Sequence, residues 1–273
     1  MRVERLRSTA PRPSESGGRD ARPLEPEEGA LPGDENVLLE LATAPIKRMA
    51  RIVYSSNAAF VIELDARDPV DSSQPLRAVY KPARGERPLW DFPHRTLHFR
   101  EAATYQVDAA LGFGIVPPTI VRDGPLGSGS LQLFVDVAER ELEETDAELL
   151  DPLLRNVAAL DVLVNNADRK RAHLLVTRDG RLRGIDHGLT FLQYPRQRTV
   201  LIDLGGTPLP SATASRVVAL ARDPARRDGL RSRLLRLLSP PEVDAFGHRL
   251  AELAADPVYP VLDPWDGRPF EWW

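Results

Sequence analysis

The chain of 273 residues contains no cysteine, and this absence excludes several classes of site. Disulfides, Cys-ligated zinc, iron–sulfur clusters and thiol catalysis all need cysteine. Lysine is scarce, because arginine supplies all of the 36 basic residues except Lys47, Lys81 and Lys170. Lysine is a compact point charge, whereas arginine is a wide planar fork. Each lysine of this arginine-rich chain is therefore a candidate for a position that needs a point charge.

The sequence also lacks long apolar runs and a strong net charge. No run approaches the roughly 18–20 apolar residues that span a bilayer, and the polar start of the chain has none of the features of a secretory signal. The net charge is −4, so we expect no extended surface for nucleic acid. These features predict a cytoplasmic protein without a transmembrane segment.

Both ends of the chain differ in composition from its middle. Residues 1–36 contain nine glycines and prolines and almost no large apolar side chains. They can bury too little area to offset the entropy of ordering, which predicts a disordered tail. Residues 258–273 hold three of the four tryptophans. Because side chains of that size seldom stay exposed, we expect this aromatic tail to pack on the preceding helices or on a partner.

The first half of the remaining chain has the pattern of a sheet with few helices. Helical spacing of apolar residues occurs at 37–43 and 96–111. Alternating and β-branched runs, separated by polar turns, predict strands at 47–54, 59–64, 76–81, 118–122 and 130–135. We therefore predict a β-rich N-lobe over residues 37–137.

The second half is rich in helical patterns. A long apolar stripe predicts a helix at 146–164, and Asp179-Gly180 predicts a hairpin of strands 174–177 and 181–185. Further helices are expected at 211–222, 226–238 and 240–255. We predict a helix-rich C-lobe over residues 138–257, and hence an α+β protein of two lobes.

Polar side chains cluster in two segments that flank this hairpin, residues 165–173 and 184–188. The second segment places Asp186 directly after an apolar strand, where a buried carboxylate is costly unless a cation compensates it. A lysine on an upstream strand, Lys81, and a glutamate on a helix, Glu101, complete a pattern that indicates handling of nucleotide phosphates with a bound metal.

The protein-kinase-like fold carries its functional residues in an order that this chain repeats with Lys81, Glu101, Asp168, His173 and Asp186. Asp168-Arg169 matches the Asp-Arg start of the catalytic loop of phosphatidylinositol 3- and 4-kinases, and Ile185-Asp186-His187-Gly188 resembles their Ile-Asp-Phe-Gly metal motif. Over about residues 47–255, the chain closely resembles an actinobacterial family named after those kinases. Two more sequence motifs contribute to this resemblance, Tyr80-Lys81-Pro82 and Gly85-Glu86-Arg87-Pro88-Leu89-Trp90-Asp91-Phe92-Pro93.

The resemblance implies a two-lobed protein-kinase-like fold and an ATP-dependent phosphotransferase. Lys81 is then expected to neutralise the phosphates of ATP, and Glu101 to hold Lys81 in an ion pair. Asp168 is expected to orient or deprotonate the acceptor hydroxyl, and Asp186 to bind a divalent metal, Mg²⁺ or Mn²⁺. Such roles suit a reaction that depends on positioning and charge neutralisation.

Four further residues take implied roles; one, Lys170, matches the kinase pattern, and the other three stand where the chain departs from it. Ser56 and Asn57 lie in a polar turn that replaces a glycine-rich phosphate loop, and they are expected to contact phosphate. Lys170 is expected near the transferring phosphate. His173 stands where kinases place a metal-binding asparagine, so it is expected to bind the metal.

Each of these assignments has a structural alternative that the sequence leaves open. Lys81 can extend from a strand end into solvent, and Glu101 can be a surface acid. Asp168 can cap a loop, Lys170 can belong to a solvated basic run, and His173 can be hydrogen-bonded within its loop.

Three functions are compatible with the pattern. The first is an ATP- and metal-dependent phosphotransferase whose acceptor is a lipid, a protein Ser/Thr as in HipA-type kinases, or a small molecule. The second is a nucleotide-binding pseudokinase with a regulatory or scaffold role, which is favoured by His173 and by His187 in place of the usual phenylalanine. The third is a kinase-like fold that catalyses nucleotidyl transfer.

Overall fold

The structure is a computed structural model, and it describes residues 3–5, 33–53, 55, 57–69, 71–137 and 144–269. The chain divides into two compact units. Unit 1 comprises Met1–Ala102 and Pro118–Phe134, and unit 2 comprises Ala103–Pro117 and Val135–Trp273. The residues 103–117 thus belong to unit 2, although they lie inside the range assigned to the N-lobe from the sequence.

Unit 1 contains a six-stranded antiparallel sheet with the strand order β1-β2-β3-β4-β6-β5. The strands are β1 Val3–Arg5, β2 Ile46–Ile52, β3 Phe60–Arg67, β4 Pro75–Pro82, β5 Thr119–Gly124 and β6 Gly127–Leu133. Burial alternates strictly along β4, because successive side chains point to opposite faces of a sheet. Leu76, Ala78 and Tyr80 are fully buried on one face, and Lys81 lies on the other.

Two helices accompany this sheet in sequence. Helix α1 (Glu35–Thr43) buries Val37, Leu38 and Leu41, whose spacing of three and four residues places them on one helix face. Helix α2 (Leu97–Leu111) has its first residues in unit 1 and continues into unit 2.

Unit 2 is built from helices α3 Glu144–Val164, α4 Ser211–Arg222, α5 Pro224–Leu234 and α6 Pro240–Ala255, with a two-stranded hairpin of β7 Leu174–Val176 and β8 Leu182–Gly184. The apolar stripe of α3 is fully buried at Val157, Leu160 and Val164. Helix α6 begins with a capping box, in which Ser239 and Glu242 satisfy amides that the first turn leaves without partners. No helix in the described ranges is long and apolar enough to cross a membrane.

The α+β class and the predicted order of strands and helices are confirmed. The predicted disordered tail over residues 1–36 needs correction at two places, because Val3–Arg5 pair with β2 and α1 already begins at Glu35. The rest of that tail, residues 6–32, lies outside the described residues.

The aromatic tail agrees with its prediction only in part. Tyr259 is buried and donates a hydrogen bond from its hydroxyl to the Arg155 carbonyl at 2.8 Å, so the tail does pack on unit 2. Trp265, however, is 90% exposed. The sequence does not reveal that polar turns at Asp263 hold the surrounding backbone while the indole faces solvent. Trp272 and Trp273 lie outside the described residues.

Candidate functional site

Lys81 and Glu101 form an ion pair within unit 1. Lys81 is the last residue but one of β4, and Glu101 lies in the first part of α2. The Glu101 carboxylate is buried, whereas the Lys81 ammonium is part-exposed. Because a buried carboxylate needs a compensating charge, the pair fixes the Lys81 ammonium at this strand end. The ion pair implied by the family resemblance is therefore present, and its role towards a nucleotide stays a prediction.

The turn between β2 and β3 is pinned to the loop that follows β4. The Arg87 amide donates to Asn57 Oδ1 at 2.9 Å, and the Ala58 amide donates to the Gly85 carbonyl at 3.0 Å. A Cβ atom at position 85 would lie 2.4 Å from the Ala58 Cβ, so this close approach requires glycine. The side-chain oxygen of Asn57 thus has a structural partner. Ser56 lies outside the described residues.

A fully buried ion pair joins helix α3 to the loop after it in unit 2. The Arg169 guanidinium donates from Nε to Asp161 Oδ2 at 2.8 Å and from Nη2 to Asp161 Oδ1 at 2.9 Å. Neither side chain is exposed to solvent. This two-bond geometry is the strongest arrangement of arginine and carboxylate. This geometry allows the charges of Asp161 and Arg169 to be buried under the surface formed by the polar segments 165–173 and 184–188.

The same ion pair is bonded to the backbone next to both predicted carboxylates. Arg169 Nη1 donates to the carbonyl of Ile185, the residue before Asp186, at 3.1 Å. Asn166 donates from Nδ2 to Asp161 Oδ1 at 2.9 Å, and its Oδ1 accepts the Asp168 amide at 3.0 Å. The loops that carry Asp168 and Asp186 are therefore positioned by one buried network.

His187 belongs to this network and explains why the sequence departs from phenylalanine there. It is fully buried, and its Nε2 lies 2.7 Å from Arg169 Nη2. Because a guanidinium can only donate, Nε2 must accept, and the proton of a neutral imidazole then resides on Nδ1. His187 therefore gives the buried Arg169 guanidinium an acceptor that phenylalanine lacks.

Asp168 pairs with Lys170 at the surface of this network. The distance from Lys170 Nζ to Asp168 Oδ2 is 2.9 Å, and both side chains are part-buried. Burial raises the pKa of the Asp168 carboxyl above its ordinary value, and the charge of Asp186 adds to that increase. The hydrogen bond and the positive charge of Lys170 act in the opposite direction without cancelling the effect of burial. A carboxylate whose pKa is raised in this way is a better proton acceptor than an ordinary aspartate.

Asp186 is held in a conformation that few residues adopt. Its φ is +61°, in the left-handed region, and its carboxylate is 52% exposed. His173 Nε2 lies 3.4 Å from Asp186 Oδ2, and His173 Nδ1 faces the Lys170 amide at 3.4 Å. Left-handed backbone at a non-glycine residue costs free energy and concentrates at functional sites. Here the conformation aims an exposed carboxylate away from the buried network beneath it.

The described residues contain no group of three or more His, Asp or Glu side chains that could hold a metal ion. Asp186 and His173 thus form a pair rather than a cage. Mg²⁺ in nucleotide sites is commonly held by one or two carboxylates while phosphate and water oxygens fill the other positions. The donor set at Asp186 therefore fits a metal that binds together with a nucleotide, and it does not fit a permanent structural metal.

The structure brings the predicted site residues together within each unit. Lys81 meets Glu101 in unit 1, while in unit 2 Lys170 meets Asp168 and His173 meets Asp186. Sequence reasoning missed Asp161, whose carboxylate supports the whole network. A signal was present, because Asp161 is spaced four residues after Val157 and three before Val164 on the apolar stripe of α3. An acid at such a position indicates a buried partner.

Comparison with known proteins finds a relative in sequence and solved structures with a similar fold. No family model matches the sequence. The chain is 35% identical over 279 aligned residues to Protein Rv2133c of Mycobacterium tuberculosis, covering 89% of this chain and 96% of that protein. The structure of hydra Fam20 with sugar matches with a TM-score of 0.56 and 16% identity, over 80% of this chain and 86% of that one. A Helicobacter pylori proinflammatory kinase, CtkA, gives a TM-score of 0.43 and 10% identity over 81% and 95%. The predicted kinase-like fold is confirmed.

We predict that Arg169→Met lowers the free energy of unfolding by about 3–5 kcal/mol, because it leaves the Asp161 carboxylate buried without its ion-pair partner. The double variant Asp161→Leu, Arg169→Met should recover much of that loss, since it removes both buried charges. The control is Arg155→Met, which breaks the part-exposed pair with Asp151 and should cost less than about 1 kcal/mol. Urea denaturation measures all three. Equal losses for Arg169→Met and Arg155→Met would contradict a structural role for the buried pair.

We predict that Asp168→Asn raises the free energy of unfolding at neutral pH. The pKa of Asp168 is higher in the folded protein than in the unfolded chain, so ionisation of this carboxyl opposes folding. The gain should shrink as the pH falls through the folded pKa and vanish below the unfolded value of about 3.9.

Asp179→Asn is the control of opposite sign for this experiment. Hydrogen bonds from Thr177 and Arg181 lower the pKa of Asp179 to about 2. Its charge therefore favours folding above the unfolded pKa, and that contribution is lost as the pH falls towards about 2. The free energies from urea denaturation at pH 7 and at acid pH check both signs. A wild type that is more stable than Asp168→Asn at pH 7 would contradict the prediction for Asp168.

Proposed function

We propose that this chain, which belongs to the family of the Mycobacterium tuberculosis protein Rv2133c, is an ATP- and divalent-metal-dependent phosphotransferase. The observation that carries the proposal is the ion pair of Lys81 and the buried Glu101 on a kinase-like fold. Two aspartates in adjacent polar loops, Asp168 and Asp186, supply the remaining charges that such a reaction needs. ATP would supply the phosphoryl group, and the metal would neutralise its negative charge.

Lys81 is assigned to hold the phosphates of the nucleotide. Its ammonium is fixed by Glu101 and remains part-exposed, so it can donate hydrogen bonds to phosphate oxygens without first becoming ordered. A lysine suits this position because three donors on a compact charge can adapt to a phosphate group. Ser56 and Asn57 are assigned to contact phosphate from the turn between β2 and β3.

Asp186 is assigned as the metal ligand. Its exposed carboxylate offers a hard oxygen donor, which Mg²⁺ and Mn²⁺ both accept. His173 has two possible tasks beside it. As a second ligand it would need a lone pair on Nε2 and its proton on Nδ1. The hydrogen bond from the Lys170 amide to Nδ1 instead puts the proton of a neutral ring on Nε2, where it can orient the Asp186 carboxylate.

Asp168 is assigned to the acceptor hydroxyl. Its raised pKa increases its strength as a base, and the bond from its backbone amide to the buried Asn166 side chain holds its backbone in place. Lys170 pairs with Asp168, and we assign it to the transferring phosphate. A lipid head group, a protein Ser/Thr and a small-molecule hydroxyl all suit this chemistry as the acceptor, and the product of the reaction will distinguish them.

A nucleotide-binding protein without transfer activity is the second candidate. It is favoured by His173 and His187, which stand where kinases usually place asparagine and phenylalanine. This candidate keeps the role of Lys81 and gives up the role of Asp168.

We predict that Lys81→Met weakens binding of metal–ATP at least tenfold, because a charge-assisted contact to phosphate is worth roughly 1.5–3 kcal/mol. Lys81→Arg should also weaken it, since a planar fork replaces a point charge. Lys47→Met is the matched control: it removes a strand lysine from an exposed ion pair with Asp65 and should leave binding unchanged. Asp186→Asn should lose metal-dependent nucleotide binding, whereas Asp168→Asn should keep binding and lose transfer.

Calorimetry measures nucleotide affinity, and mass spectrometry of the products formed from labelled ATP measures transfer. Phosphate on a protein, a lipid or a small molecule identifies the acceptor. An AMP adduct would instead assign nucleotidyl transfer, and tight binding without product would assign the second candidate. Unchanged nucleotide affinity in both Lys81 variants would contradict the proposed function.

A further inference from the structure

A cavity of about 380 Å³ lies within the loop that leads from β4 to α2. Its volume falls in the range of small-molecule sites, and it belongs entirely to unit 1. The side chains that give it its charge are Arg84, Arg87, His94 and Arg95, all of which are exposed, and Glu86, which is not. Three guanidinium groups around one small cavity favour a ligand with a doubly charged anionic group, and planar guanidinium forks match phosphate in particular.

Glu86 gives the same cavity a second recognition element. Its side chain is only 9% exposed, and its Oε1 accepts hydrogen bonds from the His98 amide at 3.1 Å and from His98 Nδ1 at 3.0 Å. Its other oxygen, Oε2, is buried and has no hydrogen-bond partner among the described residues. A buried carboxylate oxygen without a partner is costly, and it is satisfied when a ligand brings a hydroxyl donor.

His98 shows that this orientation of Glu86 is built into the fold. Because His98 Nδ1 donates to the carboxylate, its Nε2 accepts from the Ser128 hydroxyl, 3.3 Å away on β6. The imidazole is buried between the two partners. Glu86 Oε1 is thereby committed to the protein, while Oε2 is an unsatisfied acceptor of a residue in the cavity wall, which a ligand hydroxyl reaches once the lining side chains adjust.

The loop is also held in shape before any ligand arrives. Its start is pinned to Ala58 and Asn57 by the backbone contacts of Gly85 and Arg87. Further along, Arg95 has a φ of +59°, in the left-handed region that non-glycine residues seldom adopt. Strained backbone that the surroundings maintain is concentrated at functional sites, and a loop ordered in advance lowers the entropic cost of binding.

We infer that this cavity binds a polyol phosphate, a small molecule whose phosphate group meets the arginines and whose hydroxyl donates to Glu86 Oε2. The inference goes beyond the proposed phosphotransfer and does not depend on it, because neither Lys81 nor Asp186 takes part in the recognition. Phosphate and hydroxyl recognition by two separate groups predicts that both parts of the ligand are needed for full affinity.

The test compares glucose 6-phosphate, glucose and inorganic phosphate as probes, with calorimetry on the full chain. We expect glucose 6-phosphate to bind at least tenfold more tightly than inorganic phosphate, and glucose to show no measurable binding. The double variant Arg84→Ala, Arg87→Ala should lose at least tenfold in affinity for both anions. The matched control, Arg48→Ala, Arg51→Ala, removes the same charge from β2 of the same unit and should leave both affinities unchanged.

Glu86→Gln separates the two recognition elements. Its oxygen can keep the contact with His98, and a neutral amide then replaces the charged Oε2, so a ligand hydroxyl loses a charge-assisted hydrogen bond. We expect the preference for glucose 6-phosphate over inorganic phosphate to fall about tenfold while the affinity for inorganic phosphate is kept. Circular dichroism and thermal unfolding of each variant identify any that fail to fold. Asp186→Asn should bind glucose 6-phosphate like the wild type, so that failure of the nucleotide site and failure of this cavity are distinguishable.

Equal affinities of the wild type for glucose 6-phosphate and inorganic phosphate would overturn the inference. Unchanged affinities in a folded Arg84→Ala, Arg87→Ala variant would overturn it as well.

Discussion

The buried ion pair between Asp161 and Arg169 is the constraint on which the candidate site of unit 2 depends. A single guanidinium bonds the Asp161 carboxylate, the Ile185 carbonyl and the His187 ring. Asn166 links the same carboxylate to the Asp168 amide. Burial of two charges is tolerable only when nearly every polar atom finds a partner, and that requirement leaves the two loops little freedom. The network therefore explains how short polar segments without regular structure keep Asp168 and Asp186 in fixed positions.

Unit 1 uses buried carboxylates in a comparable way, at the start of helix α2 and in the loop before it. Glu101 forms an ion pair with a strand lysine, and Glu86 accepts two hydrogen bonds from His98. The two acids differ in the group that each offers to a ligand. Glu101 presents the Lys81 ammonium, a cation suited to phosphate, whereas Glu86 presents its own oxygen beside three arginines. Two different groups suited to ligand recognition thus lie within about twenty residues of sequence: the Lys81 ammonium near the end of β4 and the Glu86 oxygen in the loop before α2.

Elements with strong local signals were predictable from the sequence. The hairpin at Asp179-Gly180 is an example, because Gly180 has the positive φ of 78° that such turns favour. The Lys81–Glu101 pair followed from a family resemblance, since nothing local joins residues twenty positions apart. The role of Asp161, the use of Asn57 as an acceptor for the Arg87 amide and the exposure of Trp265 were not predicted. Each depends on which atoms the folded chain brings near, and local pattern carries little information about that.

The central claim is that this chain binds a metal nucleotide, with Lys81 assigned to its phosphates and Asp186 to its metal. Amide hydrogen exchange with and without Mg²⁺–ATP tests it most directly, because protection is read at each segment without any assumption about the acceptor. The account predicts slower exchange in peptides that cover 78–86, 165–171 and 184–190, and no such protection in Asp186→Asn. Protection confined to one of these segments, or equal protection in Asp186→Asn, would contradict the account.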